Sequence, residues 1–335
     1  MDQSTTWQRG NSHIEPFDVL RGIEILALFS YHIALLCAAC MLSLQPADGA
    51  GKFLGNILRI QEPDGDFPKY WNQVTPENSG KWGLVEPARG RMDWSELDRM
   101  YQYAHRHHFP FKQHNFVWGQ QQPKWIHGLP PDQQRLEVEK WIFQYGQRYP
   151  DTQFIDVVNE ALHAAPDYKE ALGGDGSTGW DWVIWTFVTA RRCCPRAKLL
   201  LNDYNILSGG TNLERYIAII RLLKRRRLID GIGVQAHGLE TVEDATIRSS
   251  LHHLAKLKLP IYISELDLDI ADDSAQKRRY QSLFPIFWTD PAVAGVTLWG
   301  YKQNRTWKPD AYLLRADGSE RPALGWLKNY VRSID

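Results

Sequence analysis

The chain has 335 residues, with 39 Lys plus Arg balanced by 39 Asp plus Glu. A formal net charge of +0 lacks the basic bias that nucleic acid demands, so no nucleic-acid partner is expected. The hydrophobic fraction of 43% is ordinary for a protein with a real core, and the length allows one large domain or two modest ones. Tryptophan is the outlier at 14 residues, and flat aromatic rings suit stacking on sugars as well as core packing. Cys37, Cys40, Cys193 and Cys194 show neither metal-ligand spacing nor a disulfide framework, so no metal is expected.

Residues 1–24 are polar, with Arg9 and Arg21 as the basic residues, and residues 25–44 carry no charge. An apolar run of 20 residues is about enough to cross a bilayer as a helix. With its polar lead and the Pro/Gly-containing linker at 45–51, the run reads as a signal peptide or membrane anchor, a buried core helix being the alternative. Cys37-Ala38-Ala39-Cys40 loosely resembles a lipoprotein cleavage box but has Cys37 where an aliphatic residue is usual. The expectation is a secreted or membrane-anchored, extracytoplasmic protein. Its organisation would be a targeting segment and linker at 1–50 and a folded domain at 51–335, with membrane contact through residues 25–44 alone.

From residue 53 onward, strand signals at 53–57, 71–75, 109–118, 154–158, 198–201, 231–234, 260–263 and 295–298 alternate with helical patterns. The helices are expected at 94–107, 131–149, 180–194, 213–227, 245–257, 274–287 and 322–333. Trp141, Trp182 and Trp185 fall on them and are assigned to packing. The run Lys224-Arg225-Arg226-Arg227 suits a helix C-terminus, where cations are favoured. Strands alternating with helices argue for a parallel sheet, and eight such repeats argue for a single (β/α)8 TIM barrel, an α/β fold. In that fold the active site lies at the C-terminal strand ends.

Two of those ends stand out. In Phe154-Ile155-Asp156-Val157-Val158-Asn159-Glu160 and Pro260-Ile261-Tyr262-Ile263-Ser264-Glu265-Leu266-Asp267 a largely apolar run stops at a glutamate. They are either two solvated acids or a carboxylate pair facing one cleft, the minimal equipment for glycoside hydrolysis. His237, two residues past Gln235 at another strand end, is a candidate donor to Glu265. Gly173-Gly174-Asp175-Gly176 lacks the Lys-Ser/Thr of a phosphate loop and reads as a loop over the leaving-group side.

Seven motifs, in order, carry a resemblance. They are Val74-Thr75-Pro76-Glu77-Asn78-Ser79-Gly80-Lys81-Trp82, His114-Asn115-Phe116-Val117-Trp118 with Gln121, and Asp156-Val157-Val158-Asn159-Glu160. Asn202-Asp203-Tyr204-Asn205, Gly231-Ile232-Gly233-Val234-Gln235-Ala236-His237, Ile263-Ser264-Glu265-Leu266-Asp267 and Val296-Thr297-Leu298-Trp299-Gly300 with Trp307 follow. Together they resemble glycoside hydrolase family 10 endo-β-1,4-xylanases across 53–335. The resemblance implies a retaining xylanase that acts on the polysaccharide xylan without a cofactor, and a monomer is expected. It implies Glu160 as acid/base and Glu265 as nucleophile, with Asn159 on the 2-hydroxyl of the sugar being cleaved. Glu77, Asn78, Lys81, His114 and Gln121 would grip hydroxyls on the glycone side. Trp118, Trp299 and Trp307 would wall the sugar nearest the cleavage point, Gln235 and His237 would join them, and Tyr204 and Asp267 would orient partners from behind.

Three positions depart from the family's pattern: Ile155 for Trp, Gly80 for Met and Gly119 for His. At Gly119 either a glutamine amide or water fills the vacated volume and a bulkier sugar is tolerated, or the loop backbone moves in. The rival readings are a retaining glycosidase for another β-linked glycan or glycoside, and a non-catalytic sugar-binding barrel.

Overall fold

The computed structural model describes residues 51–59 and 65–334. The apolar run at 25–44, with Cys37 and Cys40, lies outside the described residues. Among the described residues no helix is long and apolar enough to cross a membrane.

Strands β1 (Phe53–Leu58), β2 (Val74–Pro76), β3 (Lys112–Val117), β4 (Phe154–Asn159), β5 (Lys198–Asp203), β6 (Gly231–Val234), β7 (Ile261–Leu266) and β8 (Val293–Leu298) are all parallel. They lie in the order 2-1-8-7-6-5-4-3. The two ends of that order meet through a single bridge between Val74 and Phe111, where the Val74 N–H donates to the Pro110 carbonyl at 3.0 Å. The sheet is therefore a (β/α)8 barrel with a thin seam between β2 and β3. Strands β3, β4 and β7 are buried throughout, because one face fills the barrel and the other meets helices.

Helices α1 (Ser95–Arg106), α2 (Pro131–Arg148), α3 (Asp181–Cys193), α4 (Gly210–Arg225), α5 (Asp244–Ala255), α6 (Asp273–Trp288) and α7 (Pro322–Ile334) surround it. Each forms for a local reason. In α1, Leu97, Met100 and Ala104 form a buried stripe, with Glu96 and Asp98 in the first turn and His105 and Arg106 in the last. Pro195 stops α3, and Asp272 caps α6 by accepting from the Ala275 N–H at 2.7 Å. Trp141 and Trp182 are fully buried, and Ile155, in place of the family's Trp, is a core residue.

The expected strand at 71–75 begins instead at Val74. Trp71 belongs to the turn before it: its N–H caps the short helix Phe67–Tyr70 and its ring packs edge-on against Tyr301 at 5.4 Å. Strands β4, β5 and β7 run further than their apolar stretches, through Asn159, Asp203 and Leu266. Ladder register shifts between His114 and Val117, Asp156 and Val158, and Ile263 and Leu266. Such irregularities re-aim side chains at a barrel rim.

The barrel interior is layered. Phe154, Leu200 and Tyr262, with Phe53 against them, form a separate apolar cluster toward the strand starts. Side chains alternate along a strand, so Lys112 and His114 face the same way on β3, one residue pair nearer the site at each step.

Candidate active site

A cleft of about 410 Å³ opens at the C-terminal strand ends. Glu160 directly follows β4 and Glu265 lies in the last turn of β7's ladder, and both line it. Asn159 ends β4, Gln235 and His237 follow β6, Trp299 follows β8, and Trp307 lies in the loop beyond. Glu77, Asn78 and Lys81 follow β2, His114 sits in β3, and Trp118 and Gln121 follow it. Asp267 does not line the cleft. Tyr204 does line it, a correction to its expected place behind the site. Its ring stacks on His163 with 4.0 Å between ring centres.

Glu265 is held as a carboxylate. Asn202 donates to Oε1 at 2.7 Å, and His237 Nε2 lies 3.2 Å from Oε2. Burial alone would push its pKa up, but the positive fields of His114, His237 and Lys112 reverse that and hold it at about 2. His237 is itself kept cationic. Burial works against its charge, yet Asp267, 3.0 Å from Nδ1, and Glu265 raise its pKa to about 9. Asp267 also accepts from the Trp307 indole N–H and lies 3.3 Å from the Lys308 ammonium.

Glu160 is pushed the other way. Burial raises its pKa, against the pull of hydrogen bonds from Gln235 and Trp118, and the charges of Glu265 and Asp203 raise it further. The Trp118 indole donates to Oε2 at 2.8 Å and the Gln235 amide to Oε1 at 3.1 Å. Its backbone has φ +55°, a left-handed conformation rare for a residue with a side chain. The Ala164 N–H donates to its carbonyl at 2.8 Å, closing the turn that aims it. A pair whose environments push one acid toward neutrality and the other toward charge is equipped for acid and nucleophile work in one site.

On the opposite wall the Lys81 ammonium donates to Gln121 Oε1 at 2.6 Å and Asn78 Oδ1 at 3.1 Å, and sits 4.7 Å from the Trp118 ring centre. Burial lowers its pKa against the attraction of Glu265, Glu77 and Glu160. Glu77 pairs with Arg59 Nε. The His114 ring packs edge-on to Trp299 at 5.1 Å, and its Nδ1 lies 2.9 Å from Asp156 Oδ2.

Gly119 settles between its two expectations. Its N–H donates to the Ala164 carbonyl at 2.8 Å, and a Cβ built there would lie 2.4 Å from Ala165 O and 2.6 Å from Ala164 O. The loop backbone has moved in, and no vacated volume exists for a bulkier sugar. Gly80 is equally tight: a Cβ would meet Gln113 Oε1 and His114 O at 2.7 Å.

The sequence did not single out Asn202 as a site residue. Its amide bridges the two glutamate strands, donating to Glu265 and, at 2.9 Å, to Asn159 Oδ1, while Ser264 Oγ donates to its own Oδ1 at 2.6 Å. Gln120 also lines the cleft. Lys112 and Asp156, buried beneath the site, were likewise passed over. Lys112 opens a strand that is buried throughout, and lysine is almost never fully buried unless paired.

A barrel that presents a neutral-leaning acid and a cation-held carboxylate in one aromatic-walled cleft defines a carboxylate-pair glycoside hydrolase. The chain belongs to glycosyl hydrolase family 10, whose model matches residues 52–330. It is 41% identical over 281 residues to endo-1,4-beta-xylanase B of Cellvibrio japonicus, covering 84% of this chain and 46% of that protein. It is 30% identical over 272 residues to endo-1,4-beta-xylanase A of Caldicellulosiruptor saccharolyticus, covering 72% of this chain and 78% of that one. The chain thus spans about half the length of the Cellvibrio relative. A family 10 structure from Paenibacillus barcinonensis superposes with a TM-score of 0.76 at 24% identity, over 84% of this chain and 95% of that one, and speaks for the shared fold.

Proposed function

We propose that the barrel is an endo-1,4-β-xylanase that cleaves internal β-1,4-xylosidic bonds of xylan with retention. The observation that carries this is the opposed electrostatics of Glu160 and Glu265 within a family 10 cleft. Glu265 attacks the anomeric carbon while Glu160 gives its proton to the departing glycosidic oxygen. Glu160, now ionised, then takes a proton from water, which attacks the same carbon and releases Glu265. Asn159 holds the 2-hydroxyl of the sugar under attack. Lys81, Asn78, Glu77, His114 and Gln121 hold hydroxyls on the glycone side, and Trp118, Trp299 and Trp307 wall the reacting sugar. Product analysis by NMR on xylan and on mixed-linkage β-glucan tests it. Xylan should give short oligosaccharides whose new reducing ends first appear as the β-anomer. A higher kcat/KM on the glucan, or an α-anomer formed first, would overturn the reading.

Two titrations should bound activity. Turnover needs Glu265 ionised, so it is lost as pH falls toward about 2. It needs Glu160 protonated, so it is lost as pH rises through that group's raised pKa. Trp118→Phe removes a donor that favours the charged form of Glu160. The alkaline limb of kcat/KM should therefore move up by about one pH unit, the size of one charge-assisted hydrogen bond. A downward shift would mean that Trp118 does not act on the acid.

We further propose that residues 25–44 direct export, and that the barrel works as an extracytoplasmic monomer, secreted or tethered by that run alone. The uncharged run and the linker behind it support this. A chain beginning at Gly51 should elute as a soluble monomer with full activity on xylan. Failure to fold would place the run in the barrel's core.

A further inference from the structure

Beneath the cleft lies a charge cluster that the reaction as written does not use. Lys112, at the start of β3, is only 3% exposed. Its ammonium is 3.2 Å from Asp156 Oδ2 on β4 and 3.5 Å from the Ser264 carbonyl on β7. Asp156, fully buried, shares that same oxygen with His114 Nδ1, which lies 3.9 Å from Glu265 Oε1. Ser264 immediately precedes Glu265, and its hydroxyl fixes Asn202, which donates to Glu265. Lys112 thus touches both the peptide that carries Glu265 and the acid that competes with Glu265 for His114. Lysine is almost never fully buried unless paired, and here the pair sits directly beneath the nucleophile's strand.

We propose that Lys112 is a positioning residue for the nucleophile: one layer below the cleft, its ammonium ties Asp156 to the Ser264 carbonyl and supplies the fixed positive charge that keeps the Glu265 carboxylate ionised and in place. The inference rests on Glu265 being the nucleophile. The other charged groups facing Glu265 come from every side. His114 reaches it from β3, Asp156 and Glu160 from β4 and its end, and His237 from the end of β6. Asp267 acts through His237, and Lys81 from beyond β2. Of the cations, Lys112 alone touches the β7 backbone next to Glu265. Removing it leaves Asp156 and Glu265 both drawing on His114, and the carboxylate becomes easier to protonate.

The test reads the nucleophile directly. A 2-deoxy-2-fluoro glycoside with a dinitrophenolate leaving group esterifies the attacking carboxylate and releases dinitrophenolate. The pH dependence of that inactivation reports the ionisation of the carboxylate. Xylobiosyl and cellobiosyl forms are both used, so that an error in sugar class shows as a preference between reagents and not as a change in the pH limb. In Lys112→Met the acid limb should rise by at least one pH unit, with kcat reduced and KM for xylan within about twofold of the wild type. Lys112→Arg should restore most of the limb. Lys112→Gln, which keeps a donor for Asp156, is read in the same way and covers a Lys112→Met chain that does not fold. An unmoved limb in either folded neutral variant overturns the proposal. So does loss of folding in both while Lys112→Arg folds, which would assign the lysine to stability alone.

Discussion

Glu265→Ala should abolish turnover and keep binding. Loss of the nucleophile in a covalent catalyst costs on the order of 10⁶ in kcat. Lys81, Asn78 and Gln121, the proposed glycone grip, bond one another and not Glu265, so calorimetric titration with xylotetraose should still show binding. The deletion leaves the Asn202 amide and the His237 ring without their carboxylate partner, so some loss of stability is expected alongside. Residual hydrolysis within about a hundredfold of wild type would remove Glu265 from the role, since an accessory carboxylate costs far less than a nucleophile.

The second large effect is a split between substrates. Glu160→Ala should lower kcat/KM on xylan by about 10³-fold or more, the usual range for general acid catalysis being about 10²–10⁴. A dinitrophenyl xylobioside needs almost no proton on its leaving group and should lose far less in its first step. Because the proposed mechanism also has Glu160 deprotonate the attacking water, the intermediate should then accumulate, and external azide should release it as a β-configured xylobiosyl azide. Equal losses on the two substrates, with no azide product, would show that the carboxyl on β4 is not the acid. The environment of Glu160 predicts the split: burial favours its neutral form, yet Trp118 and Gln235 stand ready to bond its anion once the proton has gone.

Most of the barrel was legible because its strands are apolar runs punctuated by polar ends, and the period of that pattern is physical. The strand ends that ran long share one cause. An apolar run stops being readable where the chain turns polar, but the ladder continues: β4, β5 and β7 carry Asn159, Asn202 and Glu265 within the paired strand. The site is built on strand, and strand ranges drawn from apolar residues alone stop short of it. Trp71 misled in the other direction, since an apolar residue beside a strand can belong to a packed turn. At the site, the residues on the strand ends were found by position and resemblance. Lys112, Asp156 and Asn202 make buried contacts between strands, and no one-dimensional spacing displays a neighbour on another strand. Gly119 could be seen as a departure but not interpreted, because what it makes room for is the carbonyl of Ala165, 46 positions later.

The left-handed backbone of Glu160 sets stability against activity at one position. A side chain held at φ +55° costs roughly 1–3 kcal/mol, and glycine there escapes the penalty. The same change would remove an acid whose charged form burial disfavours. The residue that would best suit the backbone is thus one that ends catalysis. A library sorted only for folded, heat-resistant protein should accumulate Glu160→Gly, and a library sorted for sugar release should eliminate it. Neither the cleft nor the barrel would reveal the difference, since both survive the exchange.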